Sequence, residues 1–162
     1  MTQAKLGSIS SDPLQTAALL EAFSDALRSL IRGEEGLSEG EYTKKMVPVH
    51  RGEKLSEKDS GDWSSSEREE AELLVDETLM NALREYTPDL CYFGTRPADG
   101  VDFGFWPSGD AIREGVYDGT VLEVVDGRNA VHRGIPEHVY HVNDHGNATL
   151  YRIKLEKLWS VV

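Results

Sequence analysis

The stretch Tyr86-Thr87-Pro88-Asp89-Leu90-Cys91-Tyr92-Phe93-Gly94, with Asp102-Phe103-Gly104-Phe105-Trp106 just beyond it, is where the chain changes its hydrophobic period. Before Pro88 the apolar residues Leu74, Val75, Leu79, Leu83 and Tyr86 recur at helical spacing. Ser66 and Glu69 have the spacing of a capping box, and the residue before a proline avoids the helical region, so this helix is predicted to end at Thr87. After Pro88 the residues become β-branched and aromatic, with glycine, proline and aspartate between the runs. Strands are predicted over 90–94, 102–106, 120–125, 138–143 and 148–155. Asn143-Asp144-His145-Gly146-Asn147 has the turn chemistry of a hairpin joining the last two. The tail, 155–162, continues as strand or closes as a short helix.

Upstream, Leu19, Leu20, Phe23, Ala26, Leu27, Leu30 and Ile31 form one apolar face, which predicts a helix over 13–32. Asp12 before Pro13 reads as its cap and Gly33 as its stop. Residues 1–11 are small and polar and read as a flexible N-terminus. Residues 34–62 read as a long acidic loop, with Met46-Val47-Pro48-Val49 as its one extended segment. The expected fold is therefore α+β, a single domain over 1–162. Two N-terminal helices pack on a mainly antiparallel sheet of about five strands, occupying 88–162.

The 162 residues carry 17 Lys and Arg against 29 Asp and Glu, a formal net charge of -12. That balance argues against gripping nucleic-acid phosphates directly and against an anionic membrane surface. An apolar content of 39% argues against disorder. Cys91 is the one cysteine, which excludes an intramolecular disulfide and suits a reducing cytoplasm; its apolar neighbours read it as a small core residue. No secretory signal and no spanning segment is expected. The charge is uneven: residues 34–87 hold 15 acids and 7 bases, 88–147 hold 10 and 4, and 148–162 hold 1 and 3.

Three constellations could carry function. The acids Asp59, Asp62, Glu67, Glu69, Glu70, Glu72, Asp76 and Glu77 form either a solvated helix face or a surface complementary to a basic partner. Carboxylates in such an array imitate nucleic-acid phosphates, so they can occupy the groove of a nucleic-acid-binding protein. The aromatic segment 91–107 is either a core hairpin or a recognition surface with Arg96, Asp99, Asp102 and Trp106. His138, His141, Asp144 and His145 are either a polar hairpin tip or metal-ligating and acid–base groups, although strand alternation turns His138 and His141 to opposite faces. Asp110, Glu114, Asp118 and Asp126, between strands, are either paired carboxylates that hold magnesium or support hydrolysis or, for the most part, turn residues beside glycines. No Walker loop, nucleophile elbow, EF-hand loop or paired-cysteine motif is present, and the pattern calls for no metal, cofactor or catalytic set.

Tyr92-Phe93-Gly94, Asp99 to Trp106, and Asn143 to Tyr151 together resemble small acidic proteins encoded by bacteriophages and prophages. The resemblance implies a mobile-element accessory protein in the cytoplasm of a bacterial host. It also implies an inhibitor of host defence, of the anti-CRISPR or anti-restriction type. The expected function is thus a non-enzymatic protein whose acidic surface binds a host nucleic-acid-binding protein, such as a CRISPR effector. One alternative is a small metal-dependent or hydrolytic enzyme using Asp99, Asp102, His141, Asp144 and His145. Another is a structural phage protein that self-associates, as a homodimer for example, through its aromatic hairpin.

Overall fold

The computed structural model describes residues 2–10, 15–97, 99–128 and 135–154. The caps expected at Asp12 and Pro13 and the tail from 155 lie outside these residues. Two compact units, Met1–Trp106 and Pro107–Val162, share the chain that the sequence reading treats as one domain. The class is α+β. The described residues form four helices and two three-stranded sheets, so the single sheet of about five strands is corrected. None of the described helices is long and apolar enough to cross a membrane.

In the first unit, β1 (Gly7–Ser10) pairs antiparallel with β3 (Asp99–Pro107), which lies between β1 and β2 (Cys91–Arg96). The flexible N-terminus expected over 1–11 is corrected by this pairing over 7–10. The Ala4 N–H also donates to the Tyr86 carbonyl, and the Thr2 hydroxyl to the Gly33 carbonyl. Helix α1 (Thr16–Arg32) buries Leu19, Leu20, Phe23, Leu27 and Ile31, the face its spacing predicts. Phe23 meets the edges of Phe93 and Phe103, each at 5.4 Å between ring centroids, and Phe93 lies 4.8 Å from Phe105. The aromatic hairpin therefore feeds the core. Edge-to-face pairs of this kind add about 0.5–1.5 kcal/mol each beyond area burial.

The acidic loop expected over 34–62 is corrected to a helix, α2 (Glu39–Ser56), and a short 3-10 turn (Ser60–Asp62). A reciprocal capping box starts α2: the Glu41 N–H donates to Ser38 Oγ, and the Ser38 N–H donates to Glu41 Oε2. Met46, Val49, Gly52 and Leu55 face inward. Gly52 packs closely on Ser24 of α1, where a Cβ would overlap Ser24 Oγ unless that hydroxyl turned aside. Pro48 sits inside the helix and withholds one backbone donor.

Helix α3 runs through three consecutive segments: α-helical Ser65–Leu73, a π segment Leu74–Leu79 and α-helical Met80–Arg84. Its capping box is Ser64 with Glu67, two residues before the expected Ser66 and Glu69. Leu74, Val75, Leu79 and Leu83 are buried as their spacing predicts.

In the second unit, α4 (Gly109–Asp118) replaces the expected turns around Asp110, Glu114 and Asp118. Ser108 caps it, accepting from the Ala111 N–H, and Ile112 and Gly115 are its buried positions. Strand β4 (Val121–Val125) pairs parallel with β5 (His138–Val142), and β5 pairs antiparallel with β6 (Ala148–Arg152) across the predicted hairpin. Among the described pairings β4 with β5 is parallel, whereas β1 with β3 and β5 with β6 are antiparallel as expected. Asn143 Oδ1 closes the turn by accepting from the His145 and Asn147 N–H groups.

Candidate functional site

The acidic constellation divides into two sets. Asp59, Glu67 and Glu70 have structural partners. Asp59 accepts from the Gly61 N–H at 2.8 Å and so opens the 3-10 turn. Glu67 takes the Ser64 N–H at 2.7 Å and the Lys58 ammonium at 3.0 Å. The Ser64 backbone donor, then Lys58, hold its carboxyl well below the usual carboxylate range, at about 2. Glu70 pairs with Arg51 of α2 at 2.5 Å. These contacts tie α2 and the connection after it to α3.

Asp62, Glu69, Glu72, Asp76 and Glu77 form the second set. All are exposed, and they make no ion pair with any described residue. Glu69, Glu72, Asp76 and Glu77 occupy positions 0, 3, 7 and 8 of a helical run and so share the outer face of α3. Leu73 lies among them and is 53% exposed.

A groove of about 440 Å³ runs beside this face. Val47, Pro48 and Arg51 of α2 form one wall, and Glu69, Leu73 and Thr78 of α3 line the other. Neither Val47 nor Leu73 is among the site residues predicted from the sequence. Their signal was present: in the run Leu73-Leu74-Val75, three consecutive apolar residues cannot all face inward on one helix.

The other predicted site residues are divided between the two units. In the first, Arg96 lies over the Trp106 ring at 5.6 Å, and the indole N–H donates to the Gly94 carbonyl at 3.1 Å. Asp102, expected on a recognition surface, is buried. Asp99 is in β3, and its side chain lies outside the described residues. In the second unit, His141 Nε2 lies 2.8 Å from Asp126 Oδ1, whereas His145 neighbours Asp144 at the exposed hairpin tip. The two imidazoles thus lie beside different carboxylates. Among the described residues no three His, Cys, Asp or Glu side chains converge as the ligands of a metal would.

A separate polar cluster in the first unit joins α2 to the end of α3. Lys45 Nζ lies 2.7 Å from Glu34 Oε2 and 3.1 Å from the Tyr86 hydroxyl, which itself donates to Glu34 at 2.8 Å. Lys45, then Tyr86, lower the Glu34 pKa. All three groups satisfy one another, so the cluster is a structural clamp. No protein-family model, no curated protein and no solved structure matches the chain.

Proposed function

We propose that this chain is a non-enzymatic binding protein. The outer face of α3 docks on the basic, nucleic-acid-binding surface of another protein and blocks it. An inhibitor of host defence, of the anti-CRISPR or anti-restriction type encoded by mobile elements, is the fuller form of this reading. The observation that carries it is the array Glu69, Glu72, Asp76 and Glu77, exposed on one helical face and engaged in no ion pair with a described residue. Within the constellation the carboxylates with structural partners are Asp59, Glu67 and Glu70. The unpaired ones cost like-charge repulsion along the helix, which a cationic partner relieves.

The experiment is capture from bacterial lysate on the immobilised chain, with the quadruple variant E69K/E72K/D76K/E77K beside it. The expected result is a nucleic-acid-binding protein retained by the parent chain, released by salt and not retained by the variant. Raising salt from physiological strength to 1 M shortens the screening length from about 8 Å to about 3 Å, so an electrostatic complex should dissociate. A complex that survives 1 M salt, or that the variant still forms, refutes the reading.

A further inference from the structure

We propose that the groove between α2 and α3 seats a single amphipathic helix of the partner, with an apolar ridge flanked by lysine or arginine. This inference rests on the acidic-face reading above and adds the shape and apolar content of what binds there.

Val47 is 51% exposed on one wall of the groove and Leu73 is 53% exposed on the other. A single exposed aliphatic residue is ordinary on a protein surface. Two on facing walls of one groove, with Pro48 and Leu74 also lining it, make an apolar seat. The lining residues Ser66, Glu70, Leu73, Leu74 and Thr78 follow helical spacing, so the groove runs along α3. Its α3 wall runs from Ser66 to Thr78, about 18 Å at 1.5 Å per residue, and its α2 wall from Val47 to Arg51, about 6 Å. The α3 wall is long enough for the i, i+3 or i+4, and i+7 anchors of a helix laid along it, with the α2 wall flanking about one of its turns. The π segment begins at Leu74, immediately after the exposed Leu73. Such segments often mark functional positions in helices.

Charge selects the occupant. Glu69 is on the groove wall and Asp76 and Glu77 follow it along α3, whereas Glu72 lines a different depression with Arg68 and Trp63. The one base lining the groove, Arg51, is held by Glu70. A second copy of this chain would bring an identical carboxylate face against this one. A cationic amphipathic helix instead places its ridge on Val47 and Leu73 and its charges on the carboxylates.

The probe is a peptide of leucine and lysine only, about four helical turns long, with the leucines on one face. A scrambled peptide of the same composition, its leucines spread around the helix, is the comparison. Both are titrated into the full chain, with backbone amide shifts recorded. The patterned peptide is expected to bind about tenfold or more tightly than the scrambled one, moving the resonances of Val47, Arg51, Leu73 and Thr78. In the variant V47S/L73S, both positions exposed, the preference should vanish while both peptides still bind weakly.

Equal binding of the two peptides to the parent chain, or shifts elsewhere, overturns the groove. So does a parent dimer that L73S dissociates, because a second copy would then be the occupant. In the charge-reversed variant E69K/E72K/D76K/E77K both peptides should lose affinity. If they do, while the parent chain fails to distinguish them, the groove is refuted and the acidic face stands. If charge reversal changes neither affinity, the acidic face itself is refuted.

Discussion

Substituting Gly104 by alanine is expected to detach β1 from β3. Gly104 stands opposite Ser8, and the flanking pairs are Gly7 with Phe105 and Ser10 with Phe103. A Cβ on Gly104 would lie 2.9 Å from both the Gly7 carbonyl carbon and the Ser8 Cα, and closer still to the Gly7 oxygen. Carbon atoms in good contact are about 3.5–4.0 Å apart, so β1 must retreat by roughly 0.6–1 Å. All the obstructing atoms are backbone, so no side chain can swing aside. A retreat of that size stretches the ladder bonds past the usual limit of about 3.2 Å. Losing two or three bonds at about 1 kcal/mol each, or accepting the overpacking at about 1–3 kcal/mol, puts the cost at about 1–3 kcal/mol.

Hydrogen exchange reads this locally. Amide protection over residues 7–10 should fall by roughly 5- to 140-fold. Gly100→Ala is the control, because a Cβ there meets nothing within 4 Å, and it should leave β1 protected. Undiminished protection in Gly104→Ala would show that β1 does not lie on β3 in this register.

Two further substitutions test the contacts that hold α2 and α3. In the double variant S64A/K58M, the Glu67 carboxyl loses its ammonium and hydroxyl partners but keeps the Ser64 N–H, so its titration midpoint should rise only part of the way from about 2 toward 4.5. Because the folded pKa is the lower one, this carboxylate's contribution to stability is present above pH 4.5 and is lost as the pH falls toward 2. An NMR titration with an unmoved midpoint would refute the assignment. Tyr86→Phe removes the hydroxyl shared by Glu34 and Lys45 but leaves their own 2.7 Å pair, so urea denaturation should show a loss of about 1–2 kcal/mol. An unchanged midpoint would mean that the clamp does not depend on the hydroxyl.

Where one hydrophobic period is strong, the sequence predicts the element. The face of α1 from Leu19 to Ile31 and the buried stripe of α3 from Leu74 to Leu83 are such cases, and both fold as read. Helix α2 fails the same test for physical reasons. Pro48, Gly40 and Gly52 are residues that punctuate loops, yet Pro48 is accommodated within the helix and Gly52 lets α1 approach. Its inward face is only Met46, Val49, Gly52 and Leu55, and tertiary contacts hold it, including the pairing of Arg28 with Glu53. Helix α4 hides behind glycines in the same way: Gly115 is buried where a Cβ would meet the Val121 side chain. The parallel pairing of β4 and β5 is not legible either, because alternation within a strand does not say which way its neighbour runs.

Reading α2 as loop also blurs the site. Without that helix, Arg51 has no fixed place, so Glu70 counts as one more surface acid when it is the partner of a base nineteen residues upstream. Without the helix there is also no second wall, so Val47 is one residue of a loop and Leu73 one of a helix. Folding α2 therefore does two things to the acidic constellation at once. It withdraws Glu70 into a tie between helices, and it sets an apolar groove beside the carboxylates that remain unpaired. A face selected only for solubility needs the second set of charges but not the groove. The V47S/L73S variant separates these two accounts, because it leaves every charge in place and removes only the apolar seat.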